Sequence, residues 1–317
     1  MSLNKSVLIT GAGGFIGLNA VKVFVRAGFE VHAMVHRKVP QELIQMKQVK
    51  IIIADIRSKR SVCSALSNFQ PDILVHIAGI AVDTVSDRES REVNFEPIKY
   101  LVNIPKEKII YFSTTDVYGI KDFSGQNEDE LSFDEAAKNP YPKYKIKSEK
   151  WLNENLNKSK YVILRPAAVY GENDKTLELR VVDFLKFSPF IVHFGKWKGK
   201  NRWPVVNVNT VCEAALQCAL THKFDGEAIN VIDENIITID DYYKKIAAKH
   251  FPQRKFKTLC LPLWIGKILG FISTGLTLLF GLRRPLFDPT SYSLLHISSN
   301  LDFDCEKLKR LLSDKIC

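Results

Sequence analysis

Short runs of consecutive apolar, often β-branched residues alternate through the first half of the chain with stretches in which apolar positions recur every three to four residues. The short runs are Val7–Thr10, Val31–Val35, Ile51–Ala54, Ile73–Ile77, Ile109–Ser113 and Tyr161–Arg165. Strands that are apolar on both faces are covered on both sides, and their alternation with helical segments predicts an α/β fold, a Rossmann-type doubly wound parallel sheet. After Gly171 the alternation loosens, and a lysine-rich stretch, GKWKGKNRWP (195–204), precedes two more strand-like runs, Val205–Val208 and Ala228–Ile232. The expected organisation is a sheet domain over 1–171, to which 203–234 returns, with a smaller C-terminal lobe assembled from 172–202 and 235–317.

The first strand runs straight into a glycine-rich turn and an apolar helix, SVLITGAGGFIGLNAVKVF (6–24). The glycines at 11, 14 and 17 are spaced by three, and the alternative G-x-G-x-x-G register fails because Ile16 stands where its third glycine would fall. A tight strand-to-helix turn of this kind brings backbone N–H groups and the positive end of a helix dipole to a pyrophosphate, so Gly11, Gly14, Phe15, Ile16 and Gly17 are candidate dinucleotide contacts.

At 317 residues the chain is long enough for one large domain with an appended lobe. The six cysteines, Cys63, Cys212, Cys218, Cys260, Cys305 and Cys317, show no C-x-x-C or Cys/His pairing, so neither a metal centre nor a disulfide framework is expected. No secretory leader precedes the first strand, which points to the cytoplasm. The net charge of +10 favours anionic partners. The cations read as spread along the chain without a nucleic-acid motif, which suits an anionic small molecule or a membrane surface better than DNA or RNA.

Nine blocks in order carry a family resemblance: TGAGGFIG (10–17), ADI (54–56), DILVHIAG (72–79), VNFEP (93–97), FSTTDVYG (112–119), PYPKYKIKSE (140–149), LRPAAVYG (164–171), GEAINV (226–231) and LDFDCEKLKRLL (301–312). On these the chain resembles the extended short-chain dehydrogenases/reductases, which include nucleotide-sugar epimerases, dehydratases and reductases and the 3β-hydroxysteroid dehydrogenases. The resemblance implies an NAD(P)-dependent enzyme with a substrate-binding C-terminal lobe, and a homodimer built on helices near 95–104 and 141–156.

Carbonyl reduction needs a group that gives a proton to the oxygen, and a tyrosine with a lysine four residues on along a helix suits that task. Tyr141 and Lys145 have this spacing, whereas Tyr144 meets Ser148. The resemblance adds Thr114 as the hydroxyl partner, with Thr115 beside it as the one-residue alternative. It also implies cofactor contacts from Asp55 and Ile56 at the adenine, Ala78 and Gly79 at the ribose and phosphate side, and Pro166 to Ala168 at the nicotinamide. Asn94 would tie backbone near the site.

Members that bind NAD usually end the second strand with an acidic residue that holds the adenosine ribose. Here that position is Val35, followed by His36, Arg37 and Lys38. Cations there suit a 2′-phosphate, so NADP(H) is expected over NAD(H), with His36 and Arg37 as contacts. The Asp-Glu pair of the dehydratases is replaced by Thr115 and Asp116, which argues against dehydration. The leading expectation is therefore an NADP(H)-dependent reductase of a nucleotide-activated keto-sugar or similar anionic ketone, with Thr115, Asp116, Arg180, Lys198, Lys200 and Arg202 as candidate substrate contacts. A nucleotide-sugar epimerase, a 3β-hydroxysteroid dehydrogenase-like enzyme on a lipophilic substrate and a non-catalytic NADP-binding protein are the alternatives.

One segment stands outside the sugar-enzyme pattern: LCLPLWIGKILGFISTGLTLLFGL (259–282). It is long enough to span a bilayer but is interrupted by Pro262, Lys267 and Ser273-Thr274-Gly275. The helical spacing of Leu261, Trp264, Ile265, Ile268 and Ile272 predicts two shorter helices with an apolar face packed on the core. Docking on a membrane surface, aided by Lys255, Lys257, Arg283 and Arg284, is the alternative. The following GLRRPLF resembles an element of the steroid dehydrogenases.

Overall fold

The computed structural model describes residues 5–172, 174 and 177–313, so Cys317 and small parts of the expected lobe lie outside the described residues. Seven strands form one parallel sheet: β1 (Ser6–Thr10), β2 (Glu30–Val35), β3 (Lys50–Ile53), β4 (Ile73–His76), β5 (Lys108–Phe112), β6 (Tyr161–Pro166) and β7 (Ala228–Val231). Their order across the sheet is β7-β6-β5-β4-β1-β2-β3. The order reverses beside β1, which opens a crevice between the carboxyl ends of β1 and β4, the usual ligand position in open α/β sheets.

Side-chain alternation explains the two covered faces. Val7 and Ile9 of β1 join one apolar core with α1 (Phe15–Arg26), while Leu8 joins a second core on the opposite face with Leu74, Ile109 and Leu152. Leu152 belongs to α2 (Pro140–Asn155), and α1 packs against α3 (Val208–Leu220) on the first face.

The other strand-like run differs from its expectation. Val205–Asn207 pairs with Ala168–Tyr170 in a separate two-stranded piece, and Val208 already starts α3. Only Ala228–Val231 of the 203–234 segment enters the main sheet. The C-terminal region adds the parallel pair Phe190–Phe194 with Lys257–Leu261, and the helices α4 (Leu263–Leu279) and α5 (Ser291–Ser298), which pack on each other.

The segment around 259–282 also departs from its sequence reading. Pro262 caps a single helix that runs unbroken through Ser273-Thr274-Gly275. The side chains of Ser273 and Thr277 are satisfied by carbonyls, Phe287 O at 2.5 Å and Ser273 O at 2.7 Å, so small polar residues do not end the helix. The expected apolar packing face, Trp264, Ile268 and Ile272, is exposed. No helix among the described residues is long and apolar enough to cross a membrane.

Candidate active site

The glycine turn is built by close approaches that no side chain would allow. Gly11 has φ +70°, and a Cβ there would lie 2.8 Å from Ala78 N. A Cβ on Gly17 would lie 2.0 Å from Gly11 O, so α1 can begin against the turn only with glycine at that place. Gly14 caps α1 without a side-chain acceptor, its own N–H donating to Gly11 O at 2.9 Å. The first amides of α1 are thereby left for a ligand at the carboxyl edge of the sheet, an arrangement that fits a dinucleotide pyrophosphate.

Beside this turn, Val35 closes β2 and stands 3.4 Å from where a Cβ of Gly13 would be. His36 Nε2 lies 3.3 Å from Asp55 Oδ2. The Arg57 guanidinium hydrogen-bonds the same carboxylate, with Nη2 at 2.7 Å, and holds the Asp55 pKa down at about 2. The Ile56 carbonyl accepts from the Tyr100 hydroxyl. Arg37, by contrast, is exposed and has no hydrogen-bonded or ionic partner among the described residues. Ala78 donates its N–H to Thr10 Oγ1 at 3.2 Å, and Asn94 engages both backbone groups of Ile80, accepting at 2.9 Å and donating at 3.0 Å, which fixes the loop that carries Gly79.

Thr114, Tyr141 and Lys145 come together on one cavity wall. Asn139 caps α2 by accepting the Tyr141 N–H at 2.9 Å, and Lys145 follows one turn later. The buried Lys145 ammonium donates to Phe112 O at 2.6 Å. Thr114 Oγ1 accepts the Asp116 N–H at 3.2 Å, which leaves its hydroxyl proton to donate elsewhere. The other tyrosine points away, since Tyr144 donates to Asp87 at 2.7 Å and Ser148 to Asn94 O at 2.8 Å. Burial pushes the Tyr141 pKa up, the Asp116 charge adds to this, and Thr114 partly offsets it. Burial pushes Lys145 down to about 7, partly offset by Glu149.

Behind this wall lies a buried polar network. Glu149 takes a forked contact from Arg165, with Nε 3.1 Å from each oxygen, and accepts from the Ser113 hydroxyl. Arg165 continues to Tyr118, whose hydroxyl donates to Asn230 at 2.7 Å. These bonds fix the backbone next to Thr114 and hold α2 against β5 and β6.

The cavity measures about 570 Å³. Phe15, Ile16, Gly79, Pro166 and Ala168 line it with the catalytic candidates, and Val181, Phe184, Phe194, Trp203, Leu261 and Leu269 add an apolar wall from the C-terminal region. Thr115 and Asp116 line it as well. Asp116 accepts from the Tyr292 hydroxyl at 2.5 Å and lies 3.1 Å from His296 Nε2. Burial alone would lower the His296 pKa, but the neighbouring Asp116 carboxylate raises it above the ordinary value. Tyr292 and His296 sit one turn apart on α5, a spacing too common to mark them in the sequence.

The expected diphosphate contacts are placed differently. Arg180 lines the cavity, but its guanidinium is clamped between Asp83, at 2.9 Å, and Asp288, and Asp83 also accepts from Thr290 at 2.7 Å. Its charge is already compensated by two carboxylates that the sequence reading passed over. Lys200 is exposed outside the cavity wall, as is Lys198, while Arg202 faces Asp302 at 3.6 Å.

The model of the NAD dependent epimerase/dehydratase family matches residues 7–231. The chain belongs to that family. Among curated relatives, the sterol-4-alpha-carboxylate 3-dehydrogenase (decarboxylating) of Dictyostelium discoideum is 22% identical over 96% of this chain and 94% of its own length. The dTDP-4-dehydro-6-deoxy-D-allose reductase of Streptomyces bikiniensis is 27% identical over 54% of this chain and 57% of its own. Among solved structures, MoeE5 in complex with UDP-glucuronic acid and NAD superposes with a TM-score of 0.69 at 18% identity, over 97% of this chain and 92% of that one, a likeness in fold. The family's fold and its NAD(P)-dependent oxidoreductase chemistry thus agree with the glycine turn and with the resemblance read from the nine sequence blocks.

Proposed function

We propose that this family member is a reductase or dehydrogenase of a lipophilic, sterol-like ketone or alcohol. One observation carries the reading. The part of the cavity wall formed by Val181, Phe184, Phe194, Trp203, Leu261 and Leu269 is apolar, and the one arginine among the described lining residues is neutralised by Asp83 and Asp288. A nucleotide diphosphate bound there would face those carboxylates with no arginine among the described lining residues free to pair with it, and desolvating it unpaired is costly. The full-length similarity to a sterol dehydrogenase supports the same choice. The lipophilic alternative therefore moves ahead of the nucleotide-sugar reading.

A nicotinamide dinucleotide bound along the glycine turn supplies the two-electron exchange with the substrate carbon. Gly11, Gly14, Phe15, Ile16 and Gly17 would hold its pyrophosphate, and Gly79, Pro166 and Ala168 would border its nicotinamide end. Tyr141 exchanges the proton with the substrate oxygen. Its raised pKa keeps the phenol protonated, the form that gives a proton to a carbonyl, and so favours reduction. Thr114 donates its hydroxyl proton to the same oxygen, and Lys145, anchored at Phe112 O, holds its amine beside the reaction, positively charged below a pH of about 7. Arg37, just past the end of β2 and without a partner among the described residues, supports NADP(H) as the preferred cofactor.

Turnover assays with NADPH and NADH against 3-keto and 3-hydroxy sterols and against UDP- and dTDP-sugars test this reading. Turnover with the sterols is expected. Activity confined to nucleotide sugars would overturn it and restore the keto-sugar reductase.

A further inference from the structure

Helix α4 is packed inside out. The residues it buries are Gly266, Gly270, Ser273 and Thr277, and a Cβ on Gly270 would lie 3.1 Å from the Ser291 backbone of α5. Most of its large apolar side chains face outward: Trp264 is 62% exposed, Phe271 76% and Leu279 76%. The loop that follows continues the patch with Phe280, Leu286 and Phe287. A monomeric surface rarely carries so contiguous an apolar area without something to cover it. Seventeen helical residues reach about 25 Å, short of a hydrocarbon core of about 30 Å, so the helix can lie in a bilayer surface but not cross it.

Charge decides what covers it. Between Asp241 and Asp288 the chain has no acidic residue and nine lysines and arginines, while the whole chain carries a net charge of only +10. Six of the nine, Arg254, Lys255, Lys257, Lys267, Arg283 and Arg284, lie on this helix or on the segments that flank it in the chain. Lys255, Lys257 and Lys267 are exposed, and among the described residues Arg283 meets Glu89 alone, at 3.4 Å. A second copy of the chain would match the apolar face but bring the same positive rim against itself, whereas an anionic lipid surface satisfies both.

We propose that α4 and the loop to Phe287 dock this protein peripherally on an anionic bilayer, with Trp264, Phe271 and Leu279 at the headgroup–acyl boundary and Lys255, Lys257, Lys267 and Arg283 against lipid phosphates. The proposal is independent of the substrate reading, since it rests on outward-facing residues alone. The same helix sends Leu269 into the cavity, so the docked face lies one helix thickness from the site.

Co-sedimentation of the full chain with phosphatidylcholine vesicles, with and without phosphatidylserine, tests it. Strong partition onto the mixed vesicles and weaker partition onto the neutral ones are expected. Phe271→Glu with Leu279→Glu should abolish both while leaving the thermal midpoint unchanged, because both side chains are exposed. Lys255→Gln, Lys257→Gln and Lys267→Gln together should weaken partition onto anionic vesicles on the order of a hundredfold, about fivefold per lysine. No sedimentation with either vesicle, or binding that survives the double glutamate variant, would overturn the proposal. A lipid-free dimer that this variant dissociates would overturn it too, assigning the face to a second copy.

Discussion

Helices α1 and α4 are both apolar and both carry glycines, yet they present opposite faces to the protein. Helix α1 buries Leu18, Val21 and Phe24 and uses Gly17 to meet the turn before it. Helix α4 buries glycine, serine and threonine and leaves its aromatic side chains and most of its aliphatic ones outside. Apolar spacing predicts both as helices, but it does not say which neighbour each apolar residue will have. In α1 the neighbour is the sheet; in α4 close contact with α5 requires small residues inside, and the large ones are left to meet something else.

The largest expected effect tests the half of the molecule in which pattern and packing agree. Tyr141→Phe removes the hydroxyl that exchanges the proton and should lower turnover by about 10²- to 10⁴-fold. Dinucleotide affinity, measured by fluorescence titration, should change little, because the glycine turn is untouched. Undiminished turnover would remove Tyr141 from the mechanism.

The next contrast breaks or sharpens the comparison itself. Gly270→Leu forces a side chain into the backbone of Thr290 and Ser291 and should destabilise the fold by about 1–3 kcal/mol. Phe271→Ser, one residue on, should change stability by less than about 0.5 kcal/mol, since that ring buries little. Urea unfolding of the two variants gives the answer. If the phenylalanine variant were the less stable, α4 would pack by its large residues after all, and the docking face would vanish with it.

The same division governs what could be read in advance. The six strands of the first half are predicted within a residue or so of their observed ends; five are buried on both faces and so write themselves as continuous apolar runs, whereas the edge strand β3 reads as one although Ile51 and Ile53 are exposed. Gly11 and Gly17 are legible because only glycine tolerates those contacts, and Gly14 by the spacing of three that it completes. Thr114, Tyr141 and Lys145 are found by spacing and resemblance, and they share one cavity wall. The C-terminal contributions are not legible. Asp288, Tyr292 and His296 reach the cavity from far along the chain, Asp83 joins them from the loop after β4, and nothing local marks an arginine such as Arg180 as clamped rather than free. The cations flanking α4 are legible as an aid to surface docking, but which face of the helix is left outside is not, because apolar spacing does not distinguish a packed face from an exposed one.

Cations provide a finer form of the comparison, since those near α4 act together while Arg37 would act singly. Arg37→Ala should weaken NADPH binding about tenfold, the loss of one charge-assisted contact, and leave NADH binding nearly unchanged. Parallel titrations with both dinucleotides read the difference. Equal losses for both would make Arg37 a general contact to the backbone phosphates and withdraw the NADP(H) preference.

The smallest effect concerns the one buried lysine of the catalytic wall. Lys145 has a pKa of about 7 in the folded protein, well below the ordinary 10.5, because burial disfavours its charge. The unfolded chain therefore keeps this proton above pH 7 while the folded one gives it up, and stability rises with pH through that window. Below pH 7 both states hold the proton and the burial penalty is fully present. From pH 6 to pH 8 the wild type should gain about 1 kcal/mol relative to Lys145→Met, whose side chain does not titrate. Urea unfolding at a series of pH values measures the gap between the two. A gap that stayed constant would mean that the Phe112 carbonyl keeps the ammonium charged throughout, and that the lysine meets its cofactor as a cation at every working pH.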